Sequence, residues 1–447
     1  MQGVFLLSPR PVFSFKHRRP AVTWGIVVFV VGLLVRLALV LPNRPTTLFE
    51  RHEPLQIALS LLTTGRYADA YGAGTGPTAH CAPLHPVLLS ILLRIFGTGA
   101  RGALAMNVFA STAAAVGFAL LPAVAVAGGL GLSSGVLAGM AGALLPVNYW
   151  AQTSGSFDAP FTCVALLALC VLLCRVWAAA QFTKSEGVAF GVVAGAGCLL
   201  NPALIPVLAA WSIASVVRYR LQWRRVLAFL AVAAVLVLSI LAPWAIRNYR
   251  VLGSLIWTRS NFGLELQVSN NDTMTADLER NVRLPGFALL HPFPGSEERA
   301  KVRMAGEVEY QRSKQRQAFA WIASHKRRFL LLTAERFRLF WLPDMRWPWQ
   351  SVFEAALTLL GLCGLAFLFW KRHAFAWVAT AVLVAYPAVY YVIQVSPRYR
   401  FPLEPILLLL AANLFSGILR SSLAMVSNFI RDRRESVVTA AGLTLAT

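Results

Sequence analysis

Long apolar runs separated by short polar breaks organise most of this sequence, and their lengths read as transmembrane helices. The first covers residues 21–41 and is interrupted only by Arg36. Residues 102–157 contain no charged residue, enough chain for two helices, with a Gly/Ser-rich break at 128–135. A further run fills 159–174, and 187–217 is again uncharged, with Asn201-Pro202 at its centre and Pro206 close behind. These prolines interrupt helix hydrogen bonding. Runs at 226–246, 355–370, 374–395 and 402–419 complete the apolar set. Residues 83–96 are apolar too, but fourteen residues with Arg94 near the end are short for a spanning helix.

Charge placement decides between readings. Basic clusters stand at Lys16–Arg19, Arg218–Arg225, Lys371–Arg372 and Arg431–Arg434, and the positive-inside rule asks that all four be cytoplasmic. They are, if 83–96 lies in the outer interface and 187–217 makes two short spans around Asn201-Pro202. The sequence therefore predicts an all-α polytopic membrane protein of about ten transmembrane helices with both ends cytoplasmic. Residues 1–20 form the cytoplasmic N-terminus and 421–447 the cytoplasmic tail. An N-terminal transmembrane module covers 21–246 with a first outer loop at 42–102, a second extracytoplasmic region covers 247–351, and C-terminal helices cover 352–420. The second outer region carries seventeen Lys/Arg and ten Asp/Glu; long loops cross the membrane regardless of charge, so it does not contradict the rule. Within it, 297–342 has helical apolar spacing and no Pro, and is expected to lie against the membrane.

Composition narrows the function classes. Of 447 residues, 57% are hydrophobic and only 13% charged, which excludes most soluble enzymes. A net charge of +22 would suggest nucleic acid in a soluble protein, but here the basic residues sit between apolar runs and act first as topology signals, so no nucleic-acid partner is expected. The six cysteines form no CxxC pair, and five lie in apolar runs, which points to neither a disulfide framework nor a zinc site. Lys16-His17-Arg18-Arg19 before the first span, with no small-residue cleavage motif, reads as a retained signal anchor.

Polar chemistry concentrates in the outer loops. Glu50, His52 and Glu53 follow the first span, and a partly desolvated carboxylate there could serve as a general base; equally, Glu is favoured at a helix N-terminus by the macrodipole. His80 and His85 flank Pro83 and could contact a substrate phosphate or be structural. The glycines at 72–76 resemble a phosphate cradle weakly, because no Lys-Ser/Thr follows. Asp158 is the only charge between Arg101 and Arg175, and is either a functional carboxylate or a helix N-cap. Arg247, Arg398 and Arg400 offer bidentate donors for a phosphate, against a plainer role as interfacial anchors, and Glu265 could hold an acceptor or an arginine.

An ordered set of motifs carries a family resemblance. Glu53, Gly65-Arg66-Tyr67, Gly76-Pro77-Thr78-Ala79, Pro83-Leu84-His85-Pro86 and Phe96-Gly97 resemble the first outer loop of bacterial GT-C glycosyltransferases. These are family 39-like enzymes related to protein O-mannosyltransferases and to the aminoarabinose transferase of lipid A. Residues 242–249 (Ala-Pro-Trp-Ala-Ile-Arg-Asn-Tyr), 261–266 (Asn-Phe-Gly-Leu-Glu-Leu) and 398–405 (Arg-Tyr-Arg-Phe-Pro-Leu-Glu-Pro) continue the likeness along nearly the whole chain. The resemblance implies a GT-C-type bundle with interfacial helices in the first outer loop. It implies a polyprenyl-phosphate sugar donor and inverting transfer on the outer face of the bacterial inner membrane. The catalytic carboxylate carries over to Glu53, with Glu50 second and Asp158 at a further acidic position.

The family often has an Asp-Glu pair where this chain has His52-Glu53, which leaves a divalent metal open, with Glu50, Glu53 and Asp158 its only candidate ligands; the sequence itself requires no cofactor. Relatives also place a basic residue where Cys81 and Ala82 stand, so phosphate binding falls to His80, Arg247, Arg398 and Arg400. The acceptor, the sugar and the oligomeric state are not specified by the sequence. A lipid-linked sugar flippase is disfavoured by the absence of paired repeats and the scarcity of polar or charged residues at mid-span, an O-antigen polymerase or ligase by the acidic cluster after the first span; a catalytically silent relative is the third alternative. The topology has a direct check: Gly76→Cys and Ala300→Cys should react with a membrane-impermeant thiol reagent from the outer face, and labelling of either from the cytoplasmic side would overturn it.

Overall fold

The computed structural model describes residues 18–420 except 44, 46–47, 49–51, 146–147, 293–295 and 346, together with 422 and 425. Glu50, Lys16 and His17 of the first basic cluster, and the Arg431–Arg434 cluster lie outside the described residues. In chain order the helices are α1 (Arg18–Val40), α2 (Glu53–Thr64), α3 (Leu84–Phe96), α4 (Ala100–Ala119), α5 (Leu121–Ala127), α6 (Leu132–Leu144), α7 (Tyr149–Thr153), α8 (Ala159–Ala179), α9 (Lys184–Leu200) and α10 (Leu204–Arg218). Then follow α11 (Trp223–Leu252), α12 (Phe262–Ser269), α13 (Leu278–Asn281), α14 (Pro285–Leu290), α15 (Ser296–Ala305), α16 (Glu307–Ser324), α17 (Lys326–Trp341), α18 (Pro348–Trp370) and α19 (Phe375–Ala385). The last, α20 (Pro397–Arg420), contains a 3-10 turn at Phe401–Leu403. Among the described residues there is no β-strand, only two isolated bridges.

Six segments are helical, long and apolar enough to cross a bilayer: Arg19–Val40, Ala100–Ala127, Ala159–Ala179, Arg220–Leu252, Pro348–Trp370 and Pro397–Arg420. Helices satisfy their backbone groups internally, which is what lets such runs sit in hydrocarbon. On α1 the side chains of Val22, Ile26, Val30 and Leu34 face outward uncovered by protein, as lipid contact requires. The protein is a multi-pass helical membrane protein. Of the ten spans expected, six reach this length; α6, α9, α10 and the segment Phe375–Tyr391 have 17 residues or fewer.

Small residues let the helices close up. Gly187, Gly191 and Gly195 recur every fourth residue on α9, and a Cβ on each would meet α11 at 2.8–2.9 Å, at Phe229 O, Ala233 O and Ile240 Cδ1. Such small-residue stripes drive helix association where no hydrophobic force acts between helices. Arg36, the one interruption of the first span, is fully buried. It donates to Gly32 O at 2.8 Å, Gly142 O at 3.0 Å and Ala143 O at 3.3 Å, and also bonds the Gln152 amide oxygen. Backbone carbonyls at the end of α6 thus satisfy a cation that lipid could not.

The short run at 83–96 forms α3, with two opposed faces: His85, Leu89 and Leu93 are buried, while Val87, Ile91 and Ile95 are exposed. The region expected to be one helical stretch over 297–342 is three helices. Gly306 breaks it with φ of 73°, a left-handed conformation that glycine tolerates, and a second break falls at His325. The α11 helix also runs six residues beyond the expected end at 246.

The two polar regions are clamped together. Arg247 on α11 donates to Tyr67 O and Thr78 O, both at 2.6 Å, and lies over the rings of Tyr67 and Trp244. Glu307, at the start of α16, accepts from Ala79 N at 2.7 Å, Ser260 Oγ at 2.7 Å and the Thr78 hydroxyl. Arg303 donates to Ala73 O at 2.6 Å. The glycines at 72–76 therefore receive arginine side chains of the second polar region and turn with positive φ (96°, 80° and 86° at Gly72, Gly74 and Gly76).

Arg400 is buried in an ion pair with Glu354 on α18, 2.9 Å apart. Its guanidinium also donates to Trp341 O at 2.9 Å, Thr358 Oγ1 at 2.8 Å and Glu354 O at 3.1 Å. Removing one partner of a buried pair costs about 3–5 kcal/mol because the other charge is stranded. Arg400→Leu or Glu354→Leu should each sharply lower the thermal stability of the purified protein, and the double variant should lose less than the sum. Additive losses in a melting experiment would deny the coupling.

Candidate active site

Glu53 is the first residue of α2. His52 before it is extended (φ −111°, ψ 130°), and its carbonyl accepts from Leu55 N and Gln56 N, so the chain turns from loop into helix at this carboxylate, with Pro54 in the first turn. One-fifth of the Glu53 side chain is accessible. Its pKa is raised to about 7, chiefly by burial, with the helix amide opposing, Glu265 adding and Arg398 opposing. One contact is unexpected: His291 Nε2 lies 3.4 Å from Glu53 Oε1. Burial and nearby Lys314 lower the pKa of His291 to about 4, so the imidazole is neutral at pH 7.

Around this pair stand two arginines and two further carboxylates. Asp158 occupies the position before α8 but makes no capping hydrogen bond; instead it meets Arg259 Nη2 at 3.3 Å, and that nitrogen also donates to Leu200 O at 3.2 Å. Each side chain of this ion pair keeps about a quarter of its surface accessible. Arg398 lies over the ring of Phe157, 4.4 Å from its centroid, and donates to Tyr399 Oη at 3.1 Å. Phe157 is also met edge-on by His52 at 5.2 Å and by Trp150 at 4.6 Å. Burial pushes the pKa of Glu265 up, and Arg398 and Arg259 pull it back; Asn261 Nδ2 reaches its carboxylate at 3.5 Å. His52 is held near pKa 4 by burial and by Arg398.

Of the residues singled out in the sequence, Glu53, His52, Asp158, Glu265 and Arg398 thus gather around one polar cluster. His80 is buried with Nδ1 2.7 Å from Tyr71 Oη, and His85 Nε2 lies 3.2 Å from Gly155 O, so both imidazoles serve local packing. Arg247 clamps the first polar loop, and Arg400 faces Glu354, so neither guanidinium is directed at the Glu53 cluster in the contacts it makes. Arg259 and His291 were missed. Nothing in their local sequence marks them: Arg259 precedes the Asn261-Phe262-Gly263 motif by two residues, and His291 sits between Leu290 and Pro292 in an irregular stretch.

Among the described residues no group of three or more His, Cys, Asp and Glu side chains is placed to hold a metal. Asp158 already faces a fixed cation in Arg259, and Glu53 faces His291. Among the described residues, which leave out Glu50, these donors do not form a divalent-ion site.

No family model matches the chain, and no curated protein matches it either. Solved structures do. The archaeal oligosaccharyltransferase AglB from Archaeoglobus fulgidus, in complex with an inhibitory peptide and a dolichol-phosphate, matches with a TM-score of 0.52 and 15% identity, over 91% of this chain and 52% of that one. The apo form of the Archaeoglobus fulgidus oligosaccharyltransferase matches with a TM-score of 0.50, 15% identity and the same coverage. The chain spans about half the length of these structures. The likeness is one of fold.

The raised Glu53 pKa carries a stability signature. Its folded value near 7 exceeds the ordinary 4.5, so its contribution to stability is fully present below about pH 4.5 and lost as pH rises through 7. The melting temperature of Glu53→Gln relative to wild type should therefore be constant in acid and shift in favour of the variant across pH 5–8. A flat difference across that range would contradict the burial argument.

Proposed function

We propose that the protein is a membrane glycosyltransferase that moves a sugar from a polyprenyl-phosphate donor to an acceptor on the outer face of the cytoplasmic membrane of a bacterium, with inversion. In this reading residues 21–246 form the catalytic transmembrane module, α3 is an interfacial helix, ten helices cross the membrane, and the polar regions at 42–102 and 247–351 lie outside. The observation that carries the proposal is the cluster itself: a carboxylate poised near neutral pH beside two arginines, at the ends of long apolar helices. The fold shared with an oligosaccharyltransferase solved with a dolichol-phosphate and a peptide supports the choice of a lipid-linked donor.

The chemistry follows from the groups present. The lipid tail lies among the apolar helices and its phosphate meets Arg398 and Arg259, whose planar guanidiniums donate in pairs to phosphate oxygens. Glu53 accepts the proton of the acceptor hydroxyl or amine. The freed lone pair forms the bond to the anomeric carbon, and the carbon–oxygen bond to the phosphate breaks with its electron pair leaving on the lipid phosphate. Arginine charge stabilises that leaving group as it develops, in a site whose side chains are largely covered by protein. A base with pKa near 7 is matched to this work: largely ionised just above neutrality, yet basic enough to hold the proton. Asp158 restrains Arg259 until a phosphate competes for it, Glu265 balances Arg398, and the aromatic rings of Phe157 and Tyr399 fix the arginine's plane.

The test is made in a strain lacking the gene and complemented with variants, with envelope glycans and polyprenyl-linked sugars followed by mass spectrometry. Glu53→Gln should abolish the glycan product at normal membrane abundance and let the lipid-linked sugar accumulate. Arg398→Ala should lower product formation by about 10²-fold or more. Product retained in Glu53→Gln would remove the proposed base.

A further inference from the structure

His291 belongs to no motif, yet its Nε2 lies 3.4 Å from a carboxylate oxygen of Glu53. Its side chain is 8% exposed. The ring is held on two sides: Phe287 stacks on it at 5.2 Å with planes 12° apart, and Tyr71 meets it edge-on at 6.0 Å. Tyr71 is fixed in turn by His80 Nδ1 at 2.7 Å and Gln311 Nε2 at 3.4 Å from its hydroxyl. The backbone of His291 closes α14 by donating to Phe287 O at 3.0 Å. A rigid imidazole from the second polar region is thereby aimed at the carboxylate that opens the first.

We propose that His291 is a positioning residue for Glu53, donating a hydrogen bond from Nε2 to the carboxylate and holding it toward the acceptor. This rests on the reading of Glu53 as the general base. The observed separation is longer than a formed hydrogen bond, as catalytic contacts often are before substrate binds and tightens them. A neutral donor suits the task better than a cation. A charged partner would form an ion pair and pull the Glu53 pKa down, weakening the base, whereas a neutral N–H orients the carboxylate and leaves its basicity near pH 7. The surroundings keep the imidazole neutral: burial and Lys314 disfavour its charge, and Glu298, which favours it, is already bonded to Lys301, Lys314 and Tyr310. The other titratable groups facing Glu53 are Glu265, Arg398, Cys81 and Tyr71. The base is thus oriented by the far polar region, so catalysis requires both regions to be docked.

The experiment is a pH titration of the Glu53 carboxyl by infrared difference spectroscopy on the full-length protein in lipid nanodiscs, its band identified by its absence in Glu53→Gln. His291→Phe keeps the site dry and removes the donor, and should raise the Glu53 midpoint by about one pH unit. His291→Gln, whose amide nitrogen can stand in for Nε2, should return the midpoint to the wild-type value and restore the glycan product that the Phe variant loses. An unchanged midpoint in His291→Phe, or an equal shift in the Gln and Phe variants, overturns the proposal; His291→Leu is the second donor-less variant should Phe not fold. The two readings fail separately. Product retained in Glu53→Gln sinks the base, whereas loss of product in Glu53→Gln with wild-type titration and product in His291→Phe sinks the positioning role alone.

Discussion

The carboxylate of Glu307 holds the architecture of the site together. It is buried, and it gathers donors from two distant stretches of chain: the Thr78 hydroxyl and the Ala79 amide on one side, the Ser260 hydroxyl on the other. Arg247 reinforces the same seam through the carbonyls of Tyr67 and Thr78. A buried carboxylate is costly unless its lone pairs are taken up, and here three donors do so. The site depends on this seam because its members come from both sides of it: His52 and Glu53 from the first polar loop, Arg259, Glu265 and His291 from the second polar region. Without the clamp the acid and its imidazole would belong to unconnected segments.

Scarcity of charge gives the remaining logic. In a chain with 13% charged residues, buried charges are committed one by one. Arg36 is spent on carbonyls of α6, Arg336 on Ser269 O, Val392 O and Asn270 Oδ1, and Arg400 on Glu354. These close the bundle. Arg259 and Arg398 differ: one shares a partly accessible ion pair and the other lies on an aromatic ring, so each keeps donor capacity that a phosphate can claim. The structural arginines and the proposed binding arginines are separated by what surrounds them.

The six long spans were legible because hydrophobic length is a local property. So were the short α3 and the carboxylates Glu53 and Asp158, which stand out in an apolar chain. The partners of those carboxylates were not legible. Asp158 meets Arg259 across 101 positions, and Glu53 meets a histidine more than two hundred residues away. Arg398 and Arg400 looked equivalent in sequence, but residues two apart on a helical turn do not face each other, and only the packing of α18 decides which points to Glu354. The break at Gly306 was missed because helical apolar spacing continues on both sides of it, and only the positive φ there reveals the turn.

The proposed mechanism turns on a lipid phosphate binding beside Glu53 on the arginines the bundle leaves available. An experimental structure of the protein with bound polyprenyl phosphate tests this directly. Phosphate oxygens should lie within hydrogen-bonding distance of the Arg398 guanidinium, on the side facing Glu53, with Arg259 drawn from Asp158 toward the same anion. A phosphate bound elsewhere on the bundle, with Arg398 still turned onto Phe157 and Tyr399 alone, would contradict it.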